Sequence, residues 1–181
     1  MEKFADKELT PSAEEQTAFN IAHWAELSAD PQWEHWEGRI ETDEFGNAIL
    51  IPIAPPIHGR ALAQIALHLQ QILGGSGAIA CPVSTTKGVK CSDVVWMPRE
   101  AWDEVRDEPC LPTAPAICIE VRSPNESLRE LVYKKALYFQ AGAVEVWFCD
   151  RKGKMTFFLS LEDDGSDASR LCPAIPASIG M

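Results

Sequence analysis

Apolar residues in this chain come as short runs separated by turn-forming residues, and the spacing inside the runs takes two forms. AILIPI, from Ala48 to Ile53, is an apolar stretch of strand length ended by Pro55-Pro56. From Gly59 to Leu73 the spacing becomes helical: Leu62, Ile65, Ala66, Leu69, Ile72 and Leu73 share one face, and Gly74-Gly75 closes the segment. Strand-length runs return at Ala78 to Val83, Val89 to Met97, Ala116 to Arg122 and Val144 to Cys149, with KMTFFLSL (Lys154 to Leu161) as a last strand. Between the Ala116 and Val144 runs, a capping box of Ser127 and Glu130 opens a helix that runs to Ala141 and stops at Gly142. Three strands, a helix and two strands predict an α/β (α+β) fold, one central mixed β-sheet flanked by helices. Upstream, Thr10-Pro11 with Glu14 predicts a helix start, and Phe19, Ile21, Ala22 and Leu27 supply its apolar contacts before Asp30-Pro31. Glu108 to Pro115 is a proline-rich loop, and the mixed tail from Glu162 is expected to add little to the core. The predicted organisation is a helical lead-in over 1–38, one domain over 39–161 and a tail over 162–181.

Composition supports a globular reading: 181 residues, 46 % hydrophobic and 24 % charged, with no run of about 18 apolar residues that could span a membrane. The N-terminal MEKFADKELTPSAEEQ has no apolar signal core, so a cytoplasmic location is expected. Cys81, Cys91, Cys110, Cys118, Cys149 and Cys172 never form CxxC and mostly lie in apolar runs, which predicts buried free thiols. His23, His35, His58 and His68 are not paired on a helix face, so no zinc site is expected. The net charge of −11 opposes a phosphate-rich partner, but it is unevenly distributed. Acids dominate the first fifty residues, whereas from Glu120 to Lys154 the bases Arg122, Arg129, Lys134, Lys135, Arg151, Lys152 and Lys154 outnumber the acids.

Two acids stand inside apolar strands: Asp93 in CSDVVWMP and Glu120 in AICIEVRSPNES. A buried carboxylate needs compensation. One solution is a divalent cation shared by both residues, if the two strands are neighbours. The other is a turn cap for Asp93 and a basic partner such as Arg122 for Glu120. On a wheel of about 100° per residue, Leu128, Leu131, Val132, Tyr138 and Phe139 form an inward face, with Lys135 near its centre and Lys134 at its edge. His58, ahead of the first core helix, is either a cap or a phosphate contact.

ETDEFGNAILIP (Glu41 to Pro52), His58-Gly59-Arg60, Ser92-Asp93, IEVRSPNESL (Ile119 to Leu128) and KKALYFQAGAVEVWFCD (Lys134 to Asp150) resemble, in order and spacing, the Uma-two family of restriction endonuclease-like proteins. The resemblance covers roughly Arg39 to Phe158, and the family is classed with the PD-(D/E)xK nucleases. It implies a restriction endonuclease-like fold and hydrolysis of phosphodiester bonds with Mg2+ or Mn2+. Asp93 matches the motif aspartate, Glu120 the motif glutamate and Glu41 a further acidic position. Arg122 stands where the superfamily has its lysine, and the resemblance moves that role to Lys134. The expected metal ligands are therefore Asp93 and Glu120, with Lys134 and Glu41 completing the catalytic group. Arg122, His58 and Lys135 are candidate phosphate contacts. Ser92 replaces the motif proline. The expected partner is a nucleic acid, DNA first, acted on by a monomer or a homodimer. The competing expectation is a silent binding or assembly module that keeps the fold without the activity.

Overall fold

The computed structural model describes residues 11–124 and 126–180. Helix α1 (Ala13–Ser28) starts two residues later than Thr10-Pro11 suggests. Ser12 accepts from the Glu15 amide while Glu15 reaches back to the Ser12 amide, and this reciprocal cap sets the boundary. Thr10 lies outside the described residues. The strands β1 (Gly38–Thr42) and β2 (Ala48–Pro52) form an antiparallel hairpin of their own, pairing Glu41 with Ile49. Helix α2 (Pro56–Leu73) follows, with proline in its first turn, and Gly74 ends it.

The central sheet holds β3 (Ser76–Thr85), β4 (Gly88–Met97), β5 (Ile117–Val121), β6 (Glu145–Cys149) and β7 (Met155–Phe158), in that spatial order. Neighbours are antiparallel except β5 and β6, which run parallel. Parallel neighbours need a long crossover, and α4 (Leu128–Gln140) supplies it. A short helix, α3 (Arg99–Val105), follows β4. Its polar REAWDEV sequence gives no apolar stripe, so periodicity did not reveal it.

Alternation along the strands divides the core into two layers. Val94, Ile117, Ile119, Val121 and Trp147 pack beneath α2 against Ala61, Ile65 and Leu69. Val95, Cys118 and Val146 face the other way, towards Tyr138 of α4. Glu120, two residues from Cys118, faces the α4 layer and meets Tyr138, whereas the Asp93 carboxylate meets His58 of α2. The third cluster, with Trp24 of α1 over Val89, Cys91 and Cys110, closes the end of the sheet near β1. Gly88 in the β3–β4 turn has φ 88°, and a Cβ there would run into the Thr42 and Asp43 carbonyl oxygens. Glycine therefore lets β1 dock against the hairpin. All six cysteines are free and buried, as the sequence predicts.

The tail departs from expectation. Cys172, Ile175 and Ile179 join the α2-side core. The anchor is Glu145, buried at the start of β6, whose carboxylate accepts from Trp147 Nε1 and Ser169 Oγ at 2.7 Å. The same group accepts from the Arg170 and Leu171 amides at 2.8 Å. Besides these apolar contacts, the tail thus gains its place through three donors to one carboxylate. Glu145→Ala should lower stability by roughly 3–5 kcal/mol, because buried donors lose a charged partner together. Amide exchange should speed up first at Arg170 and Leu171. A loss below about 1 kcal/mol, within the range of a surface change, would show that the tail is held by other contacts.

Candidate active site

The β4–β5 pairing runs only through Val94–Ile119, Val95–Cys118 and Trp96–Ile117. Continued by one position, that register sets Asp93 opposite Glu120. Backbone pairing stops there and side chains take over. Val121 N donates to Asp93 Oδ2 at 2.7 Å, and Ser92 Oγ engages Ile119 O and N. Because β5 remains paired with β6 through Glu120 and Val121, the sheet splits on one side only. The split leaves the two buried carboxylates where β4 and β5 cease to pair.

Glu120 is fully buried. Tyr138 Oη donates to its Oε1 at 2.7 Å, and Lys134 Nζ lies 3.4 Å from its Oε2. Lys134 Nζ also lies 2.7 Å from Glu41 Oε1, which takes a further bond from the Cys91 amide. One ammonium thus bridges a carboxylate of the hairpin and a carboxylate of the sheet. Burial pushes the Glu120 carboxyl up to about 8 against the pull of Lys134, with Asp93 adding to the rise. Burial opposes the charge on Lys134 as well, but Glu120 and Glu41 outweigh it and hold the amine above its ordinary value. Lys134 is therefore a permanent cation at neutral pH, suited to stabilising negative charge and unsuited to accepting a proton. Lys90, buried in β4, donates to Thr42 O at 2.6 Å, and burial draws its pKa down.

Asp93 is held from the other side. Arg39 of β1 pairs with its Oδ1, and His58 Nε2 approaches its Oδ2 at 3.3 Å while facing Val121 O at 3.0 Å. Both His58 neighbours are acceptors, so Nε2 carries the proton. Asp93 outweighs the effect of burial on the ring and raises the His58 pKa. In turn His58 and Arg39 overcome burial at Asp93 and keep it ionised. Arg39 and Glu41 share a strand face by their two-residue spacing, which is the sequence signal that could have found Arg39. Tyr138 follows Lys134 by four positions, the helical spacing for a shared face, and had been assigned to packing alone.

The helical wheel is right about Leu131, Lys135 and Tyr138, which face inward, and wrong about Leu128 and Val132. Leu128 and Val132 are 57 % and 54 % exposed, whereas Leu131, Lys134, Lys135, Leu137 and Tyr138 are buried. Two of the inward positions are lysines, so apolar residues alone misplace the face. Lys134 reaches the carboxylates. Lys135 instead donates to Asp163 O at 3.0 Å and covers the Phe158 ring, away from Asp93 and Glu120. Arg122 turns its Nε to Glu126 O at 3.3 Å and does not pair with Glu120.

No group of three or more His, Cys, Asp or Glu side chains is gathered for a metal among the described residues. The donors Asp93 and Glu120 are hard oxygens, and magnesium is commonly held by one or two carboxylates with water and substrate phosphate completing its shell. The pair fits that ion and does not fit zinc. Beside Asp93 lies a cleft of about 360 Å3, bordered by Arg39, His58, Ile53 and Pro55.

Removing the ammonium should be costly. Lys134→Ala is expected to lower stability by roughly 3–5 kcal/mol, the usual loss when a buried pair keeps one charge. The loss should be greater at pH 9 than at pH 6, because a Glu120 carboxyl raised to about 8 is neutral at the lower pH. Equal losses at both pH values would mean that Lys134 acts through packing alone.

Residues 24–174 match the Uma2 family, described as "Putative restriction endonuclease". A search of curated proteins gives no match. Among solved structures, a "putative nuclease belonging to DUF820" from Anabaena variabilis aligns with TM-score 0.68 at 14 % identity, over 86 % of this chain and 93 % of that one. At that identity the likeness concerns the fold, a mixed sheet between helices of the nuclease type. No helix among the described residues is long and apolar enough to cross a membrane. With most of its length inside the matched region, the chain belongs to the Uma2 family.

Proposed function

We propose that the protein is a metal-dependent endonuclease that hydrolyses phosphodiester bonds in nucleic acid, with DNA as the first substrate to test. The observation that carries this reading is the Lys134 ammonium held between Glu41 and Glu120, with Asp93 across the β4–β5 register from Glu120. Mg2+ or Mn2+ at Asp93 and Glu120 would supply Lewis-acid neutralisation of the phosphate and an activated water. Lys134, fixed by two carboxylates, would meet the negative charge that builds on the phosphoryl oxygens in the transition state. Glu41 and Tyr138 hold Lys134 and Glu120 in place, so the group is assembled before substrate arrives. His58 and Arg39 keep Asp93 ionised and ready to receive a cation. Two copies acting together would reach both strands of a duplex.

The same bonds would also stabilise a silent module, since both oxygens of Asp93 and of Glu120 already have partners. Cleavage assays on single- and double-stranded DNA with Mg2+ or Mn2+ separate the two. Hydrolysis should depend on the metal, and Asp93→Asn should lower it by roughly a hundredfold or more. Metal affinity measured by calorimetry should rise by about tenfold per pH unit up to a pH of about 8 and then level off, because the cation must displace the Glu120 proton. Absence of cleavage, together with metal binding that Asp93→Asn leaves unchanged, would favour the silent module.

A further inference from the structure

The cleft beside Asp93 combines features that the carboxylate centre does not explain. Arg39 and His58 line the cleft and also hold Asp93, so the cleft adjoins the carboxylate centre through these two side chains. The rest of the wall is apolar and stiff, with Ile53, Pro55 and Leu62, and no acid borders it. In a chain of net charge −11, a hollow whose only ionisable lining groups are an arginine and a histidine is electrostatically unusual. Arg39 uses only its NH1 nitrogen within the protein, on Asp93 Oδ1 and Cys91 O. Its Nε and NH2 make no hydrogen bond among the described residues, which leaves one edge of the guanidinium for an anion.

Two residues of the lining break local rules. Gly59 lies in the first turn of α2, where glycine costs helix stability by about 1 kcal/mol relative to alanine. A Cβ there would meet nothing within 4 Å, so neither packing nor φ requires glycine. Its effect is to leave the cleft open. Ala80 sits across the ladder from Asp93, at φ 52°, the left-handed region that a residue with a Cβ rarely occupies. Such local conflicts gather where a site has other demands to meet.

We propose that this cleft holds one unstacked nucleotide of the substrate strand, with its base against Ile53, Pro55 and Leu62 and its phosphate on the free edge of Arg39. The inference rests on the nuclease reading of the adjoining centre. A volume of about 360 Å3 suits a single small ligand group and is far too small for stacked base pairs. A nucleotide must therefore leave its stack to enter, so the cleft selects single-stranded or locally opened nucleic acid. Because Arg39 touches Asp93 as well, seating the phosphate also places the adjoining phosphodiester beside the carboxylate pair.

Amide shifts of the isotopically labelled full-length protein, recorded without metal, test this independently of cleavage. The probes are dTMP, deoxyribose 5-phosphate and a single-stranded oligothymidylate. We expect dTMP to shift Ile53, Ala54, Gly59 and Ala80, and to bind about tenfold more tightly than the sugar phosphate, since the base contributes its own contacts. The oligothymidylate should displace it. Gly59→Leu should fill the cleft and Ile53→Glu should repel the phosphate, each weakening dTMP by roughly tenfold or more. Both variants should keep the melting temperature and Asp93-dependent metal binding. Shifts elsewhere, equal affinity for the sugar phosphate, unchanged binding by a folded Gly59→Leu or Ile53→Glu protein, or an oligothymidylate that leaves dTMP in place would each overturn the proposal. Should dTMP occupy the cleft while no nucleic acid is ever cut, the nuclease reading fails and the cleft stands. If cleavage is present and the cleft silent, the reverse holds.

Discussion

Glu120 stands in the middle strand of the sheet without access to water, and a carboxylate there must be answered by hydrogen bonds and opposite charge or else take up a proton. Tyr138 and Lys134 supply part of the answer from one helix, and burial still raises the carboxyl to about 8; both partners depend on where α4 lies against the sheet. The crossover that makes β5 and β6 parallel is therefore also the element that makes the site possible. Lys134 in turn needs Glu41, which draws the separate β1–β2 hairpin over the end of β4. Gly88 removes the side chain that would hold that hairpin away. One buried charge thus ties helix, sheet and hairpin into a single arrangement.

Asp93 lies on the far side of the same gap with a different set of cations, Arg39 and His58. The two acids are accordingly driven apart in acidity: Asp93 is kept ionised, while burial raises Glu120 to about 8. Neighbouring carboxylates with opposed environments are a common way to give each a distinct role. Arg39 and His58 also form part of the wall of the apolar cleft, so the groups that tune Asp93 are the ones a ligand in that cleft would meet. The carboxylate centre and the cleft thus adjoin through Arg39 and His58.

Much of this was legible in the chain. The strands of the central sheet carry apolar runs, α4 announces itself by a capping box, and two acids inside apolar strands signal buried carboxylates that need partners. What periodicity missed has common physical causes. β1 reads GRIET, with too few apolar residues to register, because its job is to carry Arg39 and Glu41 rather than to fill the core. The inward face of α4 was misjudged at Leu128 and Val132, which are exposed, while Lys134 and Lys135 are each buried against an acceptor from another element. The tail joins the core through Glu145, whose partners are mostly backbone amides and a serine, groups that carry no hydropathy signal. His58 could not be placed because its partners, Asp93 and Val121, are contributed by other strands. Long-range polar compensation is what a single sequence hides best.

The central claim is that the gap between β4 and β5 is a cation site formed by Asp93 and Glu120 and flanked by Lys134. Anomalous diffraction from crystals soaked in manganese tests it most directly. The account predicts one peak coordinated by both carboxylates, with Arg39 withdrawn from Asp93 Oδ1 and Lys134 still on Glu41. Absence of a peak there, with Arg39 and His58 still closed on Asp93 at saturating manganese, would contradict it.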